Sequence, residues 1–322
     1  MSGAGAGMGM AAANPAPSAV PRCAAASGSK RRRELLLVWI FLLPSLVVFF
    51  LYRILPLVWN VILSFQDFSL FGATRFVGFN HYLDMWEDEV FWITLRNTLI
   101  YMASAPVGIA LALAVSLMVD SEVRGRNVYR TIVFLSYPLM TVAVGIIWRW
   151  LYDEKVGLLN FVLRSLHIID QPIAFLQSFE LALPAVLLAN VWQIIGFYMI
   201  ILLAGLQNIP QNLYEAAAID GASGRQQFFR ITLPLLRPAI FLAFVIGIMT
   251  SFTSFDLVYV MTQGGPSHSS ELLVNYIYRA AFELSKIDYA AALTVVQFLL
   301  LVVLTWIGNR LSGGDAGAVE AD

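Results

Sequence analysis

With one cysteine in 322 residues, the chain has no intrachain disulfide and too few thiols for a thiolate metal site. Cys23 stands in AVPRCAAAS without the preceding apolar run of a lipoprotein signal, and reads as an incidental thiol. Charge is scarce as well: 13% of residues are Asp, Glu, Lys or Arg, against 59% hydrophobic, and the net charge is −1. A near-neutral chain has no basic field for nucleic acid, and one this apolar cannot clothe its core in polar surface, so its solvent must be lipid. The three histidines, His81, His167 and His268, are far apart in sequence, and neither HExxH nor GxSxG occurs, so catalysis has no visible machinery. Gly28-Ser29-Lys30 is only a fragment of a phosphate-cradling loop.

What is present in quantity is long apolar sequence. A crossing helix needs about 20 mostly apolar residues, and six stretches qualify: 35–57, 95–119, 131–151, 181–206, 238–261 and 290–309. The sequence therefore predicts an all-α integral membrane protein of six transmembrane helices, its membrane domain covering 34–311. Interior prolines (Pro44, Pro106, Pro138) mark kinks that neighbouring helices can satisfy. Residues 1–33, rich in Ala, Gly, Ser and Pro and closed by Lys30, Arg31, Arg32 and Arg33, read as a disordered tail with a basic anchor, and 312–322 as a short second tail. A cleaved signal peptide is the competing reading, but the apolar run is too long and no small-x-small cleavage pattern follows.

Basic residues near the span ends set the orientation. With the N-terminus inside, the inner segments collect the 30–33 run, Arg124, Arg126, Arg130, Arg225, Arg230, Arg237 and Arg310. The outer side holds fewer, among them Arg75, Lys155 and Lys286, so both termini are expected in the cytoplasm. Asp84, Trp86, Glu87, Asp88, Glu89 and Trp92 suit a short amphipathic segment on the outer surface.

The inner loop between the fourth and fifth spans, 208–234, has the grammar of two short helices joined by a sharp bend. Pro210 suits a first helical position, Glu215-Ala216-Ala217-Ala218 favours helix, and Gly221 fits the left-handed residue that ends one. Ser223 with Gln226 forms a capping box that opens a second helix, which Pro234 limits. Such a pair is either a lever for a docking protein or a simple interfacial helix pair, and pattern alone leaves both open.

The residues themselves resemble the EAA signature of ABC importer permeases. Glu215-Ala216-Ala217 is followed by Gly221 at the family spacing, then nine residues, then Ile231-Thr232-Leu233-Pro234. FVGFNHYLDMW, RGRNVYRTIVFLSYPL and FDLVYVMTQGGP are similar to segments of the carbohydrate-uptake permeases that include the maltose and glycerol-3-phosphate importers. The likeness covers nearly the whole chain after the tail, without the large outer insertion of the maltose system's larger permease. It implies the type I ABC importer permease fold (MetI-like), located in the plasma membrane. It also implies that Glu215, Ala216, Ala217, Gly221, Ile231, Leu233 and Pro234 couple the chain to an ATPase. The partners implied are a second permease, two copies of a cytoplasmic ATPase and an external solute-binding protein. ATP and Mg²⁺ would be used by the ATPase, with no cofactor on this chain, which would not itself be an enzyme.

Polar residues inside spans are costly toward lipid and mark cavities, partners or helix contacts. Asn190, Gln193, Tyr198, Asp256 and Tyr259 are the candidates for a sugar pathway, with Gln297 also polar, although each has a structural role as its alternative. Gly264-Gly265-Pro266 reads as a turn. The rival function is an ion-gradient-driven secondary transporter, which would be expected to show internal repeats, broken helices in matching positions or a relay of several buried acids; none of these is evident in the sequence.

Overall fold

The computed structural model describes residues 28–68, 74–120 and 125–311. The expected tails over 1–27 and 312–322, Cys23, Arg124 and the side chains of Lys30, Arg31, Arg32 and Arg33 lie outside the described residues.

Two units divide at Pro56. In the first, α1 (Gly28–Phe49), with Pro44 inside it, passes into a π-helical turn (Phe50–Ile54). From Leu37 onward its apolar side chains are exposed all round, Trp39 and Phe41 among them, the character of a helix whose solvent is hydrocarbon.

The second unit begins at Leu57, within α2 (Leu55–Leu63), and holds every later element. After α2, a two-residue antiparallel ribbon pairs β1 (Gln66–Asp67) with β2 (Arg75–Phe76). Helices α3 (Asn80–Glu87), α4 (Glu89–Tyr101), α5 (Ser104–Asp120), α6 (Arg126–Phe134), α7 (Thr141–Leu151), α8 (Leu158–Ser165) and α9 (Ala182–Gln207) follow. Next come α10 (Gln211–Ile219) and α11 (Gly224–Gln227), the latter extended by a π-turn (Phe228–Thr232) into α12 (Leu233–Leu235). The chain ends on α13 (Arg237–Phe252), α14 (Asp256–Met261), α15 (Leu273–Tyr278) with a π-turn (Arg279–Glu283), and α16 (Ile287–Leu311).

Among the described residues four helices are long and apolar enough to cross a membrane, Leu37–Leu63, Glu89–Val119, Ala182–Gln207 and Ile287–Gly308, and they coincide with the first, second, fourth and sixth expected spans. The other two are interrupted. The third breaks between α6 and α7, because Pro138 lacks an N–H and turns the residue before it away from helix. Gln193 of α9 repairs this break, donating from Nε2 to the Leu139 carbonyl at 3.1 Å and the Thr141 hydroxyl at 3.3 Å. The fifth breaks between α13 and α14, where Thr253 turns its hydroxyl back to the Met249 carbonyl at 3.1 Å, a local bond that competes with the helix ladder. Gln297 of α16 donates to the freed Phe252 carbonyl at 2.7 Å and Asn275 of α15 to that of Phe255 at 3.2 Å. A carbonyl opened within hydrocarbon must find such a donor.

Small residues let the helices approach. α5 packs along α9 and against α13, and Tyr198, 1% exposed, lies between Gly108 and Gly247. A Cβ on Gly247 would stand 2.5 Å from the Tyr198 hydroxyl and 2.6 Å from Ala105 Cβ. Without a hydrophobic drive between helices in lipid, this close backbone packing supplies the cohesion.

At the end remote from α10, Asp88 caps α4 by accepting from Val90 N–H at 2.9 Å, and accepts hydroxyls from Tyr276 and, at 2.7 Å, from Tyr289. Burial pushes its carboxyl up, but these hydrogen bonds outweigh it and hold the group below its usual range. At the same end Glu271, 3% exposed, meets His268 Nδ1 at 2.5 Å and Arg279 Nη2 at 3.4 Å. Burial raises this carboxyl despite both neighbours. Gly264-Gly265-Pro266 forms a turn, its Gly265 carbonyl accepting from Ser270 at 2.6 Å.

Candidate functional site: the bent helix pair after α9

The expected helix pair is present in residues 210–235. Pro210 stands one position earlier than the sequence suggests, as the N-cap of α10, with ψ 129°. Asp220 caps the other end and Gly221 follows at φ +77°. Gly221 N–H donates to the Ala218 carbonyl at 3.1 Å and Ala222 N–H to that of Ala217 at 2.9 Å, which is the paired Schellman bonding of a helix ended by a left-handed residue. The capping box closes as expected: Gln226 Oε1 accepts from Ser223 N–H at 2.8 Å and Ser223 Oγ from Gln226 N–H at 3.4 Å.

A contact invisible to local pattern ties the two arms. The Tyr214 hydroxyl lies 2.8 Å from that of Thr232, itself only 4% exposed. The second arm does not stop at Pro234. It runs through α12 and bends by 61° where α13 begins. The preceding π-turn already displaces the ladder bond that a proline would break, so the bend falls at Leu236 and Pro238 opens α13.

Ala217, Gly221 and Ile231 converge on a groove of about 340 Å³ between the arms. Asp220 and Arg230 line it too, an opposite pair that the sequence reading did not single out. Arg230 lies four residues after Gln226 of the capping box, the helical spacing that puts both on one face. Glu215 and Ala216 are exposed on α10, Leu213 and Ile219 are exposed beside them, and Leu233 and Pro234 are half-buried. The surface thus combines apolar side chains with both signs of charge.

The five polar candidates in the spans do not meet in one cavity. Gln193 and Tyr198 are buried, the first at the α6–α7 break and the second between glycines. Asn190 is half-buried on α9. Asp256 and Tyr259, one helical turn apart on α14, are exposed. Tyr259 stacks on Phe255 at 5.0 Å and 21° and meets Tyr278 edge-on at 5.6 Å, while Tyr278 contacts Phe282 at 5.0 Å. Tyr278 and Phe282 were missed because they belong to no apolar span.

Residues 104–313 match the family model described as "Binding-protein-dependent transport system inner membrane component". The sn-glycerol-3-phosphate transport system permease protein UgpA of Yersinia pseudotuberculosis is 32% identical over 279 residues, covering 85% of this chain and 93% of that protein. The sulfoquinovosyl glycerol transport system permease protein SmoG of Agrobacterium fabrum is 33% identical over 279 residues, 86% of this chain and 90% of that protein. The diacetylchitobiose uptake system permease protein NgcF of Streptomyces coelicolor is 33% identical over 319 residues, 92% and 90%. The fold is shared with a chain of a bacterial ABC transporter involved in the import of the acidic polysaccharide alginate (TM-score 0.77, 24% identity, 88% of this chain and 97% of that chain). This chain is a multi-pass membrane protein and belongs to the binding-protein-dependent transport system inner membrane components, the permease subunits of ABC transporters.

Proposed function

We propose that the chain is one of two different permeases in an importer for a sugar or sugar-like solute, such as an oligosaccharide, trehalose or a glycerophosphodiester. Its crossings number six, the third and fifth in broken form, with both termini in the cytoplasm. Two copies of a separate ATPase burn ATP with Mg²⁺, a solute-binding protein delivers cargo from outside, and this chain itself is not catalytic. The observation that carries the reading is the helix pair locked by Gly221, the capping box and the Tyr214–Thr232 bond, a rigid arm with exposed Leu213, Glu215 and Ile219. Ala216, Ala217, Ile231, Leu233 and Pro234 complete that arm, and closure of the ATPase dimer pulls on it to rock the bundle between inward-open and outward-open states.

The relatives named for glycerol phosphate, a sulfoquinovosyl glycerol and a chitobiose derivative support a polyhydroxylated cargo. Asp256 and Tyr259, backed by the aromatic cluster around Tyr278, suit such a solute, because rings stack on sugar faces while a carboxylate accepts hydroxyl hydrogens. Asn190 is a further polar candidate on α9, and Gln193 and Tyr198 hold the helices together.

Reconstituting the complex and measuring ATP-driven uptake with Glu215→Ala and Ile219→Asp is the direct test; unimpaired coupling in both variants removes the mechanism. Uptake under an ion gradient without ATP would instead establish secondary transport. Cys23, the single native thiol, reports orientation: an impermeant maleimide should label it in inverted vesicles and not in intact cells.

A further inference from the structure

We propose that the groove between α13 and α16 holds an anionic phospholipid from the leaflet on the side of the α10–α11 loop. The groove measures about 490 Å³ and is walled by Phe241, Val245 and Met249 of α13 facing Val302 and Trp306 of α16. Its polar lining side chain, Thr305, gives its hydroxyl to the Leu301 carbonyl at 2.8 Å. From Phe241 to Met249 it runs about 12 Å at 1.5 Å per residue, room for a large part of an acyl chain.

Each wall ends in an arginine one turn beyond the apolar residues. Arg237 precedes Phe241 by four positions on the α13 ridge, and Arg310 follows Trp306 by four on α16, with its guanidinium carbon 4.7 Å from the indole centroid. α13 leaves the loop and α16 runs back toward the same side, since Gln297 reaches Phe252 at the far end of the groove. Both cations therefore stand at one mouth. Arg310 is exposed, as is Arg237, and neither makes a hydrogen bond or ion pair with another described residue.

Bulk hydrocarbon is as apolar as this groove, so the groove alone selects nothing. The paired guanidinium groups select: they match a phosphate in charge and geometry, and a basic mouth between membrane helices is a lipid headgroup site. Charge complementarity thus favours a lipid over an apolar helix from another chain.

The test is native mass spectrometry of the purified complex after exposure to equimolar phosphatidylglycerol and phosphatidylcholine, with a photoreactive phosphatidylglycerol to locate the site. Wild type should retain phosphatidylglycerol selectively, with crosslinks in α13 and α16. The Arg237→Gln/Arg310→Gln variant should lose about twenty-five-fold of that retention, at about fivefold per arginine. The matching lysine pair, which keeps the charge without the planar fork, should retain clearly more than the glutamine pair, which separates loss of charge from misfolding. Unchanged retention in the glutamine pair, or crosslinks elsewhere, overturns the proposal. So does efficient crosslinking of a photoreactive benzophenone side chain introduced at Met249 to a second permease, which would put protein in the groove.

Discussion

Replacing Gly221 separates backbone geometry from surface contact in the α10–α11 bend. Its φ of +77° is a conformation in which L side chains are strained, yet a Cβ built there meets nothing within 4 Å. The cost of Gly221→Ala is thus the intrinsic penalty of the left-handed region, about 1–2 kcal/mol. That sum is a factor of about five to thirty in the balance between bent and alternative loop conformations. Asparagine visits this region far more readily, so Gly221→Asn should retain most of the bend while carrying a larger side chain. Two readouts are required. Hydrogen exchange at Gly221 and Ala222, whose N–H groups close the Schellman pair, should quicken in the alanine variant and much less in the asparagine variant. ATP-driven uptake by the reconstituted complex should fall in the same order. If both variants transport like wild type, the bend does not transmit force. If asparagine is as harmful as alanine although exchange stays slow, the position is a contact surface, and the backbone argument fails.

Other outcomes follow from the packing. Tyr289→Phe removes a hydroxyl from the Asp88 carboxylate and should cost about 1.5–3 kcal/mol, read as a lower unfolding temperature in detergent. Because hydrogen bonding holds Asp88 low, its stabilisation is present above the unfolded carboxylate value of about 3.9 and is lost as pH falls through the lower folded value. Asp88→Asn should abolish that acid-side dependence. Gly247→Ala should cost about 1–3 kcal/mol by overpacking, and Tyr198→Phe in the same chain should recover part of it, since the hydroxyl is the nearest clash. Arg279→Gln strips a partner from Glu271, whose side chain is only 4% exposed, and should destabilise by about 3 kcal/mol; adding Glu271→Gln should restore most of the loss.

The legible parts of this chain are those decided within a few residues. The left-handed Gly221 and the Ser223–Gln226 box were readable because a C-cap and an N-cap are local chemistry. Ala182–Gln207 was readable because an uninterrupted apolar run has one solution in lipid. What sequence did not yield depends on distant partners. Pro138 announced a kink, but the full interruption of the third expected span goes with Gln193, more than fifty positions away, which supplies the missing donor. The break before α14 has no proline at all; it depends on Thr253 and on amides from α15 and α16. Pro234 misled for a related reason, since the π-turn before it had already altered the ladder. The Asp220 and Arg230 groove became visible only once the bend placed the two arms side by side.

The amides of Gln193, Asn275 and Gln297 act as rivets, each pinning a severed rod to a neighbouring one. Sliding any of these rods along its neighbour would strand a carbonyl where no water waits, so shear inside the subunit is dear and rotation of the whole subunit is cheap. A permease built from such a piece is expected to move as a unit and not to part through its middle.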